Sequence, residues 1–115
     1  MSAVMLGLDA ADCAAWTAAH LDWKRCRELK SQSEALCAAL VQAQIDYLHA
    51  CGALDEEGDT GEGEYDEDEA VEFLLDALLG AFPADDDRAA LYCTLIDSFL
   101  PAFDDYLLTH DLLSL

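Results

Sequence analysis

The chain has 115 residues, of which 25 are Asp or Glu and only five are Lys or Arg, so its formal charge is −20 at pH 7. Such a charge opposes compaction by self-repulsion, yet 54% of the residues are hydrophobic, which excludes a disordered acidic tail and predicts a folded chain. The length suits a single domain, residues 1–115, with one moderate core and hardly any room for a second domain.

The sequence contains no segment that predicts export, membrane insertion or a metal site. No run of eighteen apolar residues occurs, and the first residues, "MSAVMLGLDAAD", lack a basic region and reach Asp9 early. The five cysteines form no C-x-x-C pair, which is unlike a disulfide framework or a zinc site. We therefore expect a cytoplasmic protein with no membrane segment and no bound metal.

The first half of the chain predicts two helices, a nearly neutral pair at residues 9–52. A helix is expected to begin after Asp9 and to end near Lys30. Its apolar stripe comprises Cys13, Trp16, His20, Trp23 and Arg27. A second helix is expected to begin at Ser31 or Ser33 and to end at Gly52, a residue typical just after a helix C-terminus. The alternative is one bent helix.

The second half predicts an acidic loop, residues 53–65, followed by acidic helices in residues 66–115. The stretch "DEDEAVEFLLDALLG" predicts a third helix with an acidic first turn and an end at Gly80. The run Asp85–Asp87 caps a fourth helix, and Pro101 is expected to start or kink a short fifth. No period-2 pattern indicates strands. The predicted fold is therefore all-α, a small bundle of four to five helices with the acidic loop between the second and the third.

Charge is distributed unevenly along the chain. Residues 1–54 carry six acidic and four basic side chains, whereas the rest carry nineteen acidic side chains and one basic one, Arg88. The four basic residues cluster in "WKRCRELK", Trp23–Lys30. Cations in a last helical turn complement the helix dipole, which is the simplest explanation of this cluster. The alternative is a docking patch for the acidic half, within one chain or across a homodimer.

Calcium binding and catalysis are both poorly matched by the sequence. An EF-hand loop needs Gly at its sixth position and Glu at its twelfth, and a loop that starts at Asp55 places Thr60 and Asp66 there. No phosphate-binding glycine loop, nucleophile elbow or H-E-x-x-H motif occurs. We therefore expect neither an enzyme nor a cofactor.

The third helix is predicted to carry a row of carboxylates opposite its apolar face. At 100° per residue, Asp66, Glu69, Glu72 and Asp76 fall within one sector, which we call the carboxylate row. Val71, Leu74, Leu75, Leu78 and Leu79 fall on the other side. Residues three or four apart on a helix are about 5–6 Å apart at Cβ, comparable with successive phosphates on a nucleic-acid strand. Because like charges at this spacing cost stability, a structural reason for the row is weak.

The predicted partner-binding residues are the acidic side chains of the second half together with one aromatic residue. Phe73 lies beside the carboxylate row on the helical wheel, either exposed as an anchor or covered by another element. The full set is Asp55, Glu56, Glu57, Asp59, Glu62, Glu64, Asp66, Glu67, Asp68, Glu69, Glu72, Phe73, Asp76, Asp85, Asp86, Asp87, Asp104 and Asp105.

A short, all-helical, strongly acidic chain with carboxylate rows, here between Asp55 and Asp105, resembles the phage DNA-mimic inhibitors, among them acidic anti-CRISPR proteins. The resemblance implies a protein that occupies the nucleic-acid channel of a host defence complex. The first helical pair, nearly neutral and Trp-bearing, departs from a uniformly acidic mimic and is expected to serve as scaffold or dimer interface.

The predicted function is a non-enzymatic inhibitor that blocks the basic nucleic-acid-binding groove of a partner, for example a CRISPR effector complex or a nuclease. The protein itself is expected to bind no nucleic acid, because like charges repel. Two alternatives remain: an immunity or antitoxin protein that neutralises a basic nuclease, and an acidic secretion-type chaperone or adaptor. An exposed apolar groove would favour the chaperone.

Overall fold

The computed structural model describes residues 10–21, 23–52, 63 and 66–109, and all regular structure in these ranges is helical. The helices are α1 (Ala10–His20), α2 (Ser33–Ala50), α3 (Glu67–Ala81) and α4 (Asp86–Thr109), with a 3₁₀ segment (Trp23–Gln32) between α1 and α2. This confirms a small all-α bundle. The predicted acidic loop, apart from Gly63, lies outside the described residues, as do its candidate residues Asp55, Glu56, Glu57, Asp59, Glu62 and Glu64.

The core is built from the apolar faces of all four helices. α2 packs between α1 and α3, while α4 contacts both α3 and α1, so the four helices surround one interior. Leu40 of α2, Leu74 of α3 and Phe99 of α4 are completely buried there. Because the apolar stripes face inward, the acidic residues of α3 and α4 are left on the surface.

The first helix ends at His20, so the prediction that it continues to Lys30 is wrong. The chain continues as the 3₁₀ segment, with a non-helical backbone at Cys26 (φ −145°, ψ 51°). A 3₁₀ helix has three residues per turn, which aligns side chains three apart. Trp23 before the kink, Cys26 at it and Leu29 after it are all buried. The alternative of one bent helix through both elements is also wrong, because α2 begins separately at Ser33.

Pro101 does not begin or end a helix, since α4 continues through it to Thr109. A proline removes the hydrogen bond to the carbonyl four residues earlier, here that of Asp97. Both Asp97 and Pro101 are exposed, so water can reach that carbonyl. The buried Phe99 and Phe103 on either side pack against each other, with ring centroids 5.7 Å apart, and hold one helix across the proline.

Two glycines, Gly52 and Gly63, are in close contact after the end of α2. Gly52 has φ +83° directly after α2, as predicted for a glycine at a helix end, and its carbonyl accepts a hydrogen bond from Gly63 N (2.8 Å). A Cβ atom on Gly63 would lie 1.9 Å from the Cys51 carbonyl oxygen, so no other residue fits without a backbone shift. Gly63 therefore lies directly against the C-terminal end of α2.

Arg88, the one basic residue of the second half, fastens α4 to the 3₁₀ segment. Its Nε donates to the Tyr92 hydroxyl (3.2 Å), and another guanidinium nitrogen donates to Gln32 Oε1. Tyr92 in turn donates to the Phe82 carbonyl (2.8 Å). Arg88 thus has a structural role. Its guanidinium donates to Tyr92 and Gln32 and, among the described residues, forms no ion pair with the carboxylates of α4.

Candidate acidic interaction surface

Helix α3 separates charge from apolar surface as its sequence predicts. Ala70, Leu74 and Leu78 are fully buried. The members of the carboxylate row, Asp66, Glu69, Glu72 and Asp76, are all exposed. Within the described residues no carboxylate of α3 or α4 forms an ion pair. The row therefore presents its charge to solvent.

The N-terminus of α3 is fixed by Asp66 and by a tyrosine from α2. The Asp66 carboxylate accepts hydrogen bonds from Asp68 N (2.9 Å) and Glu69 N (3.4 Å). The Tyr47 hydroxyl lies 3.1 Å from the Asp66 carbonyl oxygen and 3.3 Å from Glu69 Oε2, and it accepts a hydrogen bond from Asp66 N (3.3 Å). Burial raises the pKa of Tyr47, so it remains a neutral donor. Asp66 is thus both a helix cap and part of the charged surface.

Substitutions at Asp66 separate its capping role from its charge. Asp66→Ala is expected to lower the free energy of unfolding by about 1 kcal/mol, because two backbone N–H groups lose their acceptor. Asp66→Asn keeps an acceptor oxygen and should stay within a few tenths of a kcal/mol of the wild type. Urea unfolding followed by circular dichroism measures both. A loss for Asn as large as for Ala would mean that the charge, and not the cap, stabilises this turn.

Phe73 is exposed, which decides between the two predicted placements. It retains 37% of its accessible surface and is the one large hydrophobic side chain classed as exposed among the described residues. Its ring contacts Tyr47, with centroids 5.6 Å apart and planes tilted by 56°. On the same helix, Glu69 lies four positions before Phe73, Glu72 lies one position before it, and Asp76 lies three positions after it. An aromatic side chain surrounded by carboxylates is therefore available to a partner.

A second acidic group forms where α4 passes the start of α3. The pKa of Asp104 is raised, first by partial burial of its carboxylate and then by the negative charges of Asp105 and Glu67. Asp104 nevertheless keeps an exposed edge. Glu67 lies 37 positions earlier in the sequence, so the fold joins two acidic segments that the sequence keeps apart. Both are in the predicted partner-binding set.

The raised pKa of Asp104 predicts a pH-dependent gain from Asp104→Asn. A carboxyl whose folded-state pKa exceeds its unfolded value stabilises the fold less as pH rises through the folded value. Asp104→Asn should therefore raise the melting temperature by about 1–3 °C at pH 7 and by nothing at about pH 3, where the carboxyl is protonated in both states. Calorimetry at both pH values is the measurement. Asp97→Asn, two turns earlier, is the control, and equal gains in both variants would contradict this account.

The acidic residues at the start of α4 lie at the other end of α3. Asp85 caps α4, since its carboxylate accepts a hydrogen bond from Arg88 N (2.9 Å). Asp86 and Asp87 are exposed in the first turn. The fifteen residues from Glu67 to Ala81 span about 21 Å, at a rise of about 1.5 Å from each residue to the next. The acidic surface thus extends along α3, with additional carboxylates at each end.

A cavity of about 380 Å³ between α1 and α4 was not predicted from the sequence. It is lined by Trp16, His20, Leu21, Ser98, Pro101, Ala102 and Asp105. The rings of Trp16 and His20 stack with centroids 3.8 Å apart and planes 14° apart. The spacing of these two residues, four apart, indicates a stacked pair on one helix, but the proximity of Asp105 depends on the tertiary fold. An aromatic wall beside a carboxylate suits a cationic side chain.

The other candidate groups of the described residues are metal-binding side chains and cysteine thiols. No group of three His, Cys, Asp or Glu side chains there could hold a metal ion. Burial raises the pKa of Cys13 to about 12 and that of Cys37 to about 11, so both thiols are protonated at neutral pH. Nor does any helix in the described part combine the length and apolarity needed to cross a membrane.

Comparison with known proteins adds no assignment. No protein family, curated protein or solved structure matches the chain.

Proposed function

We propose that the protein is a non-enzymatic inhibitor that binds the basic nucleic-acid site of another protein through the exposed carboxylates of α3 and α4. The observation that carries the proposal is the carboxylate row, which is exposed and, within the described residues, free of ion pairs. Like-charged neighbours three or four apart cost a few tenths of a kcal/mol each. A partner of opposite charge explains why the protein has a carboxylate row that lowers its own stability.

The geometry of the row suits a groove that binds phosphates. The axial separation is about 4.5 Å between Glu69 and Glu72 and about 6 Å between Glu72 and Asp76, at 1.5 Å per residue. Because the side chains are exposed and flexible, their carboxylates can take the place of successive phosphates in contact with Lys or Arg. Such contacts supply most of the affinity in nucleic-acid grooves and weaken with salt.

Two aromatic features next to the acidic carboxylates provide contacts for a bound partner. Phe73 offers apolar area among the carboxylates of α3. The cavity beside Trp16, His20 and Asp105 is suited to an arginine of the partner, with its guanidinium on the carboxylate and its plane against the rings. Aromatic side chains are frequent among the residues that dominate binding energy at interfaces. Charge would then steer the encounter, and these contacts would slow dissociation.

The two other hypotheses receive less support. A client-binding chaperone needs an apolar groove, whereas Phe73 is the one large hydrophobic residue classed as exposed in the described ranges. An immunity protein requires the same charge as a mimic and differs in binding beside the nucleic-acid groove. Competition with nucleic acid distinguishes the two.

The experiment that tests the proposal compares three immobilised proteins as bait. Each protein is incubated with the same host extract. The three are the wild type, the α3 variant Glu69→Lys/Glu72→Lys/Asp76→Lys, and a control variant, Glu28→Lys/Glu34→Lys/Asp46→Lys. The control has the same charge change at exposed sites of the first half. A nucleic-acid-binding protein retained by the wild type and the control, but not by the α3 variant, is the expected result. Retention by all three, or a partner with no nucleic-acid site, would contradict the proposal.

A further inference from the structure

The 3₁₀ segment arranges its basic residues in a row of their own. Lys24, Arg27 and Lys30 are three residues apart and exposed, one position after the buried Trp23, Cys26 and Leu29. The backbone at Cys26 is not helical, so Lys24 precedes this kink and Arg27 and Lys30 follow it. The buried row fixes the segment against the core, and the basic row follows on its outer edge.

These three cations line one cavity. A cavity of about 490 Å³ lies between the end of α1 and the 3₁₀ segment and is bounded by Ala18, Ala19, Leu21, Trp23, Lys24, Arg27, Lys30 and Ser33. Trp23 is held in place by a hydrogen bond from its indole N–H to the Ala18 carbonyl (2.8 Å). The cavity thus has a basic edge and an apolar wall with a fixed indole ring. Its volume is within the range of about 300–1,000 Å³ common for small-molecule sites.

The charge balance of the chain makes this grouping unexpected. Three of the five basic residues of a chain with net charge −20 converge on one cavity, and none of its described lining residues is Asp or Glu. The carboxylates of α3 and α4 do not form ion pairs with Arg27 or Lys30 in the described part of the chain, and Lys24 has an interaction within the protein. At physiological salt, charges beyond about 8 Å are largely screened, so the local cations govern what the cavity attracts.

We propose that this cavity binds a small organic polyphosphate that carries an aromatic ring, such as a nucleoside diphosphate. Lys and Arg side chains only donate hydrogen bonds, which suits phosphate oxygens, and the planar guanidinium of Arg27 can donate two bonds to one phosphate. Arg27 and Lys30 offset about two of the roughly three negative charges of such a ligand, and Lys24 lies at the same edge of the cavity. Leu21 and the indole of Trp23 supply the apolar wall for the ring. This site is separate from the acidic surface and does not depend on the function proposed for it.

The test is isothermal titration calorimetry of the whole protein with three probes: ADP, inorganic pyrophosphate and adenosine. EDTA is included so that no divalent ion can bridge a phosphate to the acidic surface. ADP is expected to bind at one site and at least about tenfold more tightly than either pyrophosphate or adenosine, because only ADP contacts both the cations and the apolar wall. Added salt should weaken its binding.

Two single variants separate the site from general charge effects. Arg27→Ala is expected to weaken ADP binding at least about tenfold, whereas Ser31→Ala, exposed on the same segment but outside the cavity, should leave it unchanged. Circular dichroism verifies that both variants fold. Absence of saturable ADP binding by the folded wild type, equal binding of pyrophosphate and ADP, or equal affinity of Arg27→Ala and wild type would each overturn the proposal.

Discussion

Replacing Glu69, Glu72 and Asp76 together by lysine is expected to lower the affinity for the partner at least about 100-fold, or about 2.8 kcal/mol, while α3 stays folded. The three side chains are exposed and face away from the buried Leu74 and Leu78, so the substitutions leave the core intact. Each lysine replaces an attraction to the basic groove with a repulsion, and close interfacial charge pairs are coupled by about 1.5 kcal/mol or more. Calorimetric or surface-binding titration with the purified partner measures the loss.

The control for that experiment is the variant Glu28→Lys/Glu34→Lys/Asp46→Lys, which changes the net charge equally on the first half of the chain. It should lose less than about tenfold, because those exposed side chains lie outside the acidic surface. Equal losses in the two variants would show that overall charge, and not the carboxylate row, determines binding. A helical α3 variant with wild-type affinity would exclude the row as the interface.

Leu74→Ala is expected to reduce the free energy of unfolding by about 3 kcal/mol and the melting temperature by about 10–15 °C. Leu74 is completely buried in the core that α3 shares with α2 and α4. The substitution removes apolar contacts and leaves a cavity that its neighbours fill only in part. Thermal and urea unfolding, followed by circular dichroism, provide the two values.

Glu72→Ala is the matched control for Leu74→Ala, since it removes a side chain of similar length two positions earlier, on the exposed face. Its effect should stay within about 0.5 kcal/mol of zero, as for most surface substitutions. If both variants lost the same stability, α3 would not divide into a buried and an exposed face. The function and the fold would then depend on the same residues.

The position of α3 and the orientation of its faces were predictable because several features of its sequence agree. The acidic cap at Asp66, the apolar repeat through Leu74 and Leu78, and the exposed positions of the carboxylate row all fit one period of 3.6 residues. The same reasoning places the predicted partner-binding acids of α3 on its surface. Local periodicity suffices where a helix has one continuous buried stripe.

The 3₁₀ segment was missed because a period of 3.6 was assumed for it. A period of three is visible in "WKRCRELKS", where Trp23, Cys26 and Leu29 are each followed by Lys or Arg. Runs of 3₁₀ helix longer than three or four residues are uncommon, so without a tertiary contact to consider the commoner α-helix is favoured. The continuation of α4 through Pro101 was missed for another reason, since it depends on packing around Phe99 and Phe103 that local sequence does not specify.

Contacts in the candidate site between residues far apart in the chain could not be predicted from the sequence. The proximity of Glu67 to Asp104 and Asp105, and the cavity between Trp16 and Asp105, both follow from the antiparallel packing of the bundle. Capping explains two acids in ordinary structural terms, since Asp66 and Asp85 each accept backbone hydrogen bonds at a helix start. Glu69 accepts a hydrogen bond from Tyr47, whereas the exposed Glu72 and Asp76 have no such contact among the described residues.

The most direct test of the proposed mimicry is competition between this protein and labelled nucleic acid for the purified partner. In a gel-shift titration at two salt concentrations, nucleic acid should be released in proportion to the partner bound by this protein, which should itself bind none. The apparent affinity should fall at the higher salt concentration, because exposed charges are screened. A stable ternary complex of partner, nucleic acid and this protein would contradict the account.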